Sequence, residues 1–398
     1  TLRQGRTMNR TRLIVGLALT YAVFAVLLNS VGTVILQSIE SFHITKGAAS
    51  SLEGFKDLSI AATSFLLAAQ LPRFGLRRAM VVALGVVALA CLAMPLAPGF
   101  WTTRLMFLAV GVGFGVAKVS VYSYVGLLTK DSTQHASLLN VIEGVFMLGV
   151  LSGYWIFAAF INPVNPADPQ WLNVYYGLAA ASGVALVLLT LTPFDEGAAI
   201  ESTGTSPESA RQKFGEMLAL AWRPLTLSFI AAIFCYVLVE QGIGSWLPTF
   251  NRELLGLSAQ MSVQAASIFA VCLALGRLGA GVVVRRTGWF PLVCGCLAGM
   301  ALLMLAVLPL AAGHHGRVTG WAGAPIAAYL LPMIGLLMAP IYPALNSAIL
   351  SSMRPQEQPA MVGLIVVFSA LGGTTGSFIV GHLLAAFSGT VGFYVLLV

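Results

Sequence analysis

Residues 290–312 read FPLVCGCLAGMALLMLAVLPLAA, a run without a single charge. Coiled as an α-helix at 1.5 Å per residue it reaches about 34 Å, enough to cross a hydrocarbon core roughly 30 Å thick. Hydrocarbon offers no water to backbone N–H and C=O groups, so the run must satisfy them internally, as a helix does. Comparable runs lie near 13–32, 50–71, 79–97, 104–128, 137–161 and 171–193. A second set lies near 223–247, 262–284, 322–350, 358–384 and 387–398, the last too short to cross. The pattern predicts an all-α membrane protein of twelve transmembrane helices, the last one truncated. Composition agrees: 9% of residues are charged, against roughly 25% in soluble domains, and mean hydropathy is +0.90. The first span is too long, and too soon followed by others, to be a cleaved signal peptide.

The short loops set the orientation. With the N-terminus in the cytoplasm, that side holds Arg3, Arg6, Arg10, Arg12, Arg73, Arg77, Arg78, Lys130, Arg211, Lys213, Arg223, Arg285, Arg286 and Arg354. The outer side keeps Lys46, Arg104, Arg252 and Arg317. Lys and Arg accumulate on the cytoplasmic side of membrane proteins, which places a multi-pass protein in the plasma (inner) membrane with its N-terminus inside. The +7 net charge therefore reflects topology and contact with anionic lipid, and no nucleic-acid partner is expected. All five cysteines (Cys91, Cys235, Cys272, Cys294, Cys296) fall within spans, so neither a zinc site nor a disulfide framework is expected.

From Phe194 to Trp222 the apolar pattern yields to Asp195, Glu196, Glu201, Glu208 and a Ser/Thr/Gly run. This reads as a cytoplasmic linker, partly helical at 208–220, between a bundle of six spans at 1–193 and another at 223–398. A weak repeat supports the division. Pro72-Arg73-Phe74-Gly75-Leu76-Arg77-Arg78 follows the second span, and Gly281 to Arg285-Arg286-Thr287-Gly288 follows the eighth. Each places an Arg two residues before a Gly. Two parallel six-helix repeats with a midplane site between them form a known transporter plan.

On these loops the chain resembles the major facilitator superfamily. The resemblance implies the major facilitator fold and transport by alternating access. The family's loop carries an Asp that helps latch the halves; Pro72 and Arg285 stand in its place here. In the second half, Cys235-Tyr236-Val237, Gln241, Ser245-Trp246-Leu247, Gly276-Arg277, Ile341-Tyr342-Pro343, Ser347 and Gly372-Gly373 look like the fucose–galactose–glucose proton symporter family. That resemblance implies sugar transport by symport. The first half departs from it: no acid lies around Asn29 to Thr33, and Lys118 stands where the fourth helix's acid is expected.

Ionisable groups inside a bilayer are costly and are functional-site candidates by default. Here they are Glu53, Lys56, Asp57, Lys118, Glu143, Glu240 and Arg277. Lys118 lies roughly 16 Å, and Glu143 roughly 12 Å, from the shared cytoplasmic ends of neighbouring spans, so both charges reach similar depth. Two readings stand: a buried ion pair locking the helices, or a cavity-facing ammonium that binds an anionic substrate or switches partners. Glu53, Lys56 and Asp57 share roughly one face, as a neutralised cluster at the outer mouth or a proton entry. Glu240-Gln241 sits beside Gly242-Ile243-Gly244, where bending is easy; Arg277 reads as a snorkelling structural charge. Proton coupling is expected through Glu143, Glu240, Glu53 or Asp57. Asn29, Tyr122, Asn140, Tyr236, Gln241, Trp246, Tyr342 and Asn346 are candidates to line the cavity with Lys118 and Glu143, Tyr122 on the Lys118 face.

Gly111, Gly113 and Gly115 follow no strand, so close helix packing explains them better than nucleotide binding. His314-His315 and His382 lack companions at metal-ligand spacing. No nucleophile–base pair or phosphate loop is present, so the chain reads as no enzyme, with no cofactor and no metal. The expectation is a monomeric secondary transporter of a sugar, sugar acid or related organic anion. Export of amphipathic compounds and a transport-inactive sensor are the alternatives.

Overall fold

The uncharged runs form helices whose ends fall where the sequence supplies breakers. In the computed structural model residues 2–67, 71–129, 131–192, 215, 217, 219–313, 316–318, 320–354, 356–387 and 389–397 are described. Lys130, His314-His315 and nearly all of the expected linker lie outside these residues; 215, 217 and 219–221 are helical. The helices are α1 (Leu2–Asn29), α2 (Val31–Phe42), α3 (Lys46–Ala49), α4 (Ser51–Leu67), α5 (Leu71–Phe74), α6 (Leu76–Leu96), α7 (Phe100–Leu128), α8 (Ser132–Phe160) and α9 (Val174–Thr190). They continue as α10 (Pro224–Gly244), α11 (Leu247–Glu253), α12 (Ala259–Thr287), α13 (Trp289–Ala312), α14 (Ala327–Leu330), α15 (Ile334–Met338), α16 (Ile341–Ser352), α17 (Gln358–Ala386) and α18 (Gly389–Tyr394). Among the described residues ten helical segments are long and apolar enough to cross a membrane. Of the expected twelve, the second is the 17-residue α4 and the last is the six-residue α18.

Three spans are interrupted. The first breaks at Ser30 between α1 and α2. The seventh runs through Gly242 and Gly244 and breaks just beyond them, at Ser245-Trp246. The tenth passes through a 3-10 turn at Leu331–Met333 and a turn at Ala339-Pro340. Pro332 and Pro340 cannot donate to the helical ladder, so the span cannot stay regular there.

The two repeat loops share a conformation as well as a pattern. Gly75 has φ 98° and Gly288 φ 80°, and each is the residue from which the next helix starts. Positive φ is strained for a side chain and free for glycine, which is why both loops put Gly there.

The chain divides into two compact units. One gathers Thr1–Asn29, Phe55–Gly153 and Leu172–Gln212; the other gathers Ser30–Gly54, Tyr154–Trp171 and Lys213–Val398. In the first, α6 packs on α7 and α9, and α1 on α7 and α9. Gly111 meets Ser59 and the Lys56 carbonyl of α4, Gly115 meets Thr63, and Gly113 on the other face meets Val87 and Phe24. The glycine run is close helix packing, as expected.

In the second unit α10 lies along α17, where Gly372 faces the Phe234 carbonyl and Gly376 the Leu238 carbonyl. Segment 30–54 packs on α11. Lys46 Nζ meets Glu253 Oε2 at 2.6 Å, Arg252 Nε meets Glu40 Oε1 at 3.0 Å, and Trp171 Nε1 donates to Ser41 Oγ at 3.0 Å.

Candidate functional site

Two polar clusters occupy the spans, one in each unit. The first is built by α7, α8 and α1. Spacing of four puts Phe114, Lys118 and Tyr122 on one face of α7, and spacing of three puts Glu143 and Phe146 on one face of α8. Lys118 is exposed in the structure. Glu143, half-buried, is the carboxylate in electrostatic reach of Lys118. The two do not form a contact ion pair: among the described residues no carboxylate oxygen lies within 4.0 Å of the ammonium. Glu143 Oε1 instead accepts a hydrogen bond from the Tyr122 hydroxyl at 3.0 Å. Tyr122 is 40% exposed, and Asn140, one turn before Glu143, is exposed as well.

Tyr21 of α1 completes this cluster and was not singled out in the sequence. Its side chain is 1% exposed. Its ring lies 6.0 Å from Phe114 and 5.7 Å from Phe146, and those two rings are 5.9 Å apart. The Tyr21 hydroxyl has no hydrogen-bond partner among the described residues, although it is within electrostatic reach of Tyr122 and Glu143. A buried hydroxyl left unsatisfied costs about 1–3 kcal/mol. In the sequence the only signal was one phenol in an otherwise apolar run.

The second cluster is built by α10, α12, α15, α16 and α17. Tyr236 donates its hydroxyl to the Met338 carbonyl at 3.1 Å, beside the irregular turn of the tenth span. Its ring lies 5.8 Å from Tyr342, whose hydroxyl is 3.3 Å from Ser369 Oγ. Glu240 stands beside Tyr236, with Arg277 Nη2 3.9 Å from its carboxylate. Arg277, expected to be a snorkelling charge, thus has an acid partner within its own unit. Gln241 is half-buried, and Asn346 Oδ1 is buried with no hydrogen-bond partner among the described residues.

Other candidates sit elsewhere. Trp246 is fully buried and its indole N–H donates to the Ser377 carbonyl and hydroxyl at 3.0 and 3.1 Å, so it offers no face to a solute in this conformation. Asn29 donates to the Ala25 carbonyl of its own helix at 2.9 Å. Glu53 is fully buried and accepts from Ser245 Oγ at 2.8 Å. Asp57 pairs with Lys56 at 3.3 Å. Among the described residues no group of His, Cys, Asp and Glu could hold a metal ion.

Helices of membrane-crossing length, with ionisable side chains set within them, define a polytopic helical membrane protein. The chain belongs to the Major Facilitator Superfamily, whose sequence profile matches residues 15–377. It is 23% identical over 246 residues to a gentisate transporter of Corynebacterium glutamicum, an alignment covering 60% of this chain. The chain spans about half the length of that relative, 53%. Among solved structures it resembles a bacterial homolog of the human lysosomal transporter Spinster in an inward-facing and occupied conformation (TM-score 0.75, 15% identity, 96% of this chain and 83% of that one). It also resembles the nucleoside transporter NupG (TM-score 0.71, 12% identity, 98% and 94%) and a D-xylose–proton symporter (TM-score 0.65, 17% identity, 96% and 96%). At these identities the likeness is one of fold.

Proposed function

We propose that this protein moves a small organic anion across the plasma membrane by alternating access of its two six-helix halves, together with protons, and with its N-terminus in the cytoplasm. Lys118 carries the reading. An ammonium within a span that no carboxylate meets within 4.0 Å is poised for an anion supplied from outside the protein, since an ionisable group at membrane depth is costly without a partner. The gentisate transporter named above, a carrier of an organic acid, supports an anion over a neutral sugar.

Glu143 supplies the coupling. One ammonium balances one carboxylate, so a substrate anion at Lys118 leaves Glu143 uncompensated beside it. Glu143 then takes a proton, and its Tyr122 hydrogen bond reorganises around the neutral acid. Substrate and proton are bound together, and anion plus proton cross as a neutral pair. Glu240, paired loosely with Arg277, is the second candidate on such a proton path.

The test is uptake into proteoliposomes of radiolabelled organic anions under an imposed inward proton gradient. Accumulation above equilibrium that collapses with a protonophore is the expected result. Uptake of a neutral sugar with no uptake of any anion contradicts the reading.

A further inference from the structure

We infer that a water-filled crevice in the second unit connects Glu240 and Arg277 to the cytoplasm and carries away the proton that Glu240 releases. This route rests on the proton-coupled reading and gives its second candidate acid an exit. The crevice lies between α12, α13 and α16 and measures about 500 Å³. Arg277 is its α12 lining residue farthest from the helix's cytoplasmic end, and the guanidinium stands 3.9 Å from the Glu240 carboxylate. Gly281, Ala344 and Ala348 keep the space wide, and Ser347 and Ser351 line its α16 wall. From Pro343 to Ser351 it runs about 12 Å along α16, towards the helix ends that the proposed topology places in the cytoplasm.

The repeat shows that this polarity belongs to the second half alone. The counterpart crevice of the first unit, between α5, α6 and α7, measures about 340 Å³ and is apolar throughout, with Leu71, Phe74, Val82, Val86, Val112 and Val116 in its walls. A wall turned to hydrocarbon carries side chains such as the exposed Leu297, Leu302 and Leu305 of α13. Here Arg277, Ser347 and Ser351 are exposed instead, and an ionisable group within a span faces the bundle interior or water. A polar space of this size admits a file of waters, at about 30 Å³ each. The proton leaves the Glu240 carboxyl group for a crevice water and passes along the file to bulk solvent. The carboxylate left behind is balanced by the Arg277 guanidinium. Tyr236 and Tyr342 are the remaining titratable groups of this cluster. Their hydroxyls are engaged by the Met338 carbonyl and by Ser369.

Two labelling experiments on inverted membrane vesicles test this. With the five native cysteines replaced by serine, Ser347→Cys and Val112→Cys are treated with a membrane-impermeant thiosulfonate at the cytoplasmic face. The reagent needs a hydrated thiolate, so Ser347→Cys should react at least about 10-fold faster than Val112→Cys in the apolar counterpart. A water-soluble carbodiimide, which attacks a protonated carboxyl group, should modify Glu240, as read by mass spectrometry. Gly281→Leu fills the crevice, and a Cβ at this position meets nothing within 4 Å, so the fold is kept. That variant should lose the Glu240 modification at an unchanged melting temperature. Equal reactivity of the two cysteines would overturn the inference. So would a Glu240 that the carbodiimide never reaches, or one modified as readily in Gly281→Leu. None of these results touches the uptake that tests anion transport, so the two readings fail separately.

Discussion

Glu143 decides the charge balance of the proposed cycle, and its neighbours show how. It already accepts from Tyr122 and sits near Lys118 without touching it, so it can exchange one stabilising partner for a proton. In Glu143→Gln the site is permanently in its protonated-like form. Counterflow exchange of substrate should persist, whereas accumulation driven by a proton gradient should fall to the equilibrium level. If Glu143→Gln, Glu240→Gln, Glu53→Gln and Asp57→Asn all still accumulate substrate, coupling through these acids is wrong. Much of this cluster was legible in the sequence, because equal depth on adjacent antiparallel helices is simple arithmetic. Tyr21 was not, because its partners lie on other helices. Trp246, a cavity candidate in the sequence, gives its N–H to Ser377, 131 residues on, a contact the local pattern does not announce.

At the scale of elements, the contact of α10 with α17 rests on missing side chains. A Cβ at position 376 would overlap the Leu238 carbonyl, backbone that cannot swing aside. Gly376→Ala should therefore destabilise the protein by about 1–3 kcal/mol through overpacking, read as a lowered melting temperature. Gly279→Ala on α12, where a Cβ meets nothing within 4 Å, should be neutral or slightly stabilising. The ionic contacts of segment 30–54 with α11 behave differently. Lys46–Glu253 and Arg252–Glu40 are partly exposed, so each contributes at most about 1 kcal/mol. That is still enough to bias an equilibrium between states of similar energy. Glu40→Gln with Glu253→Gln should raise the rate at which a cysteine placed at Ser245 is labelled, with little change in melting temperature. These pairs span more than 200 residues of sequence, and nothing in the local pattern announces them. Near the chain's other basic loops, Glu357 is held down to about 2 from an ordinary 4.5 by hydrogen bonds from Arg354 and Arg223 and by their charge. A lowered carboxylate stabilises the fold above its unfolded value and loses that contribution as pH falls through the folded one. The stability difference between the protein and Glu357→Gln should therefore shrink between pH 4.5 and about 2.

For the whole molecule, hydropathy carried the helical architecture. The spans were legible because a bilayer demands long uncharged runs. The repeat was legible because both loops need glycine at positive φ, at Gly75 and Gly288. The break at Ser30 was not, since it depends on what packs around it: Gly32 presses against the Ser245 backbone, a contact no periodicity encodes. Single cysteines at 200–210 in the expected linker should react with a membrane-impermeant thiol reagent from the cytoplasmic face alone. Labelling from outside would invert the topology.

The central claim is that Lys118 holds a substrate anion and is not merely the partner of Glu143. The most direct measurement is the affinity of the folded Lys118→Ala variant for the transported anion, with its melting temperature, and the same pair of values for Lys118→Ala/Glu143→Gln. The account predicts a variant that stays folded, has lost binding, and recovers none of it in the double substitution. Unchanged affinity in folded Lys118→Ala would contradict it, and so would a fall in stability that Glu143→Gln restores.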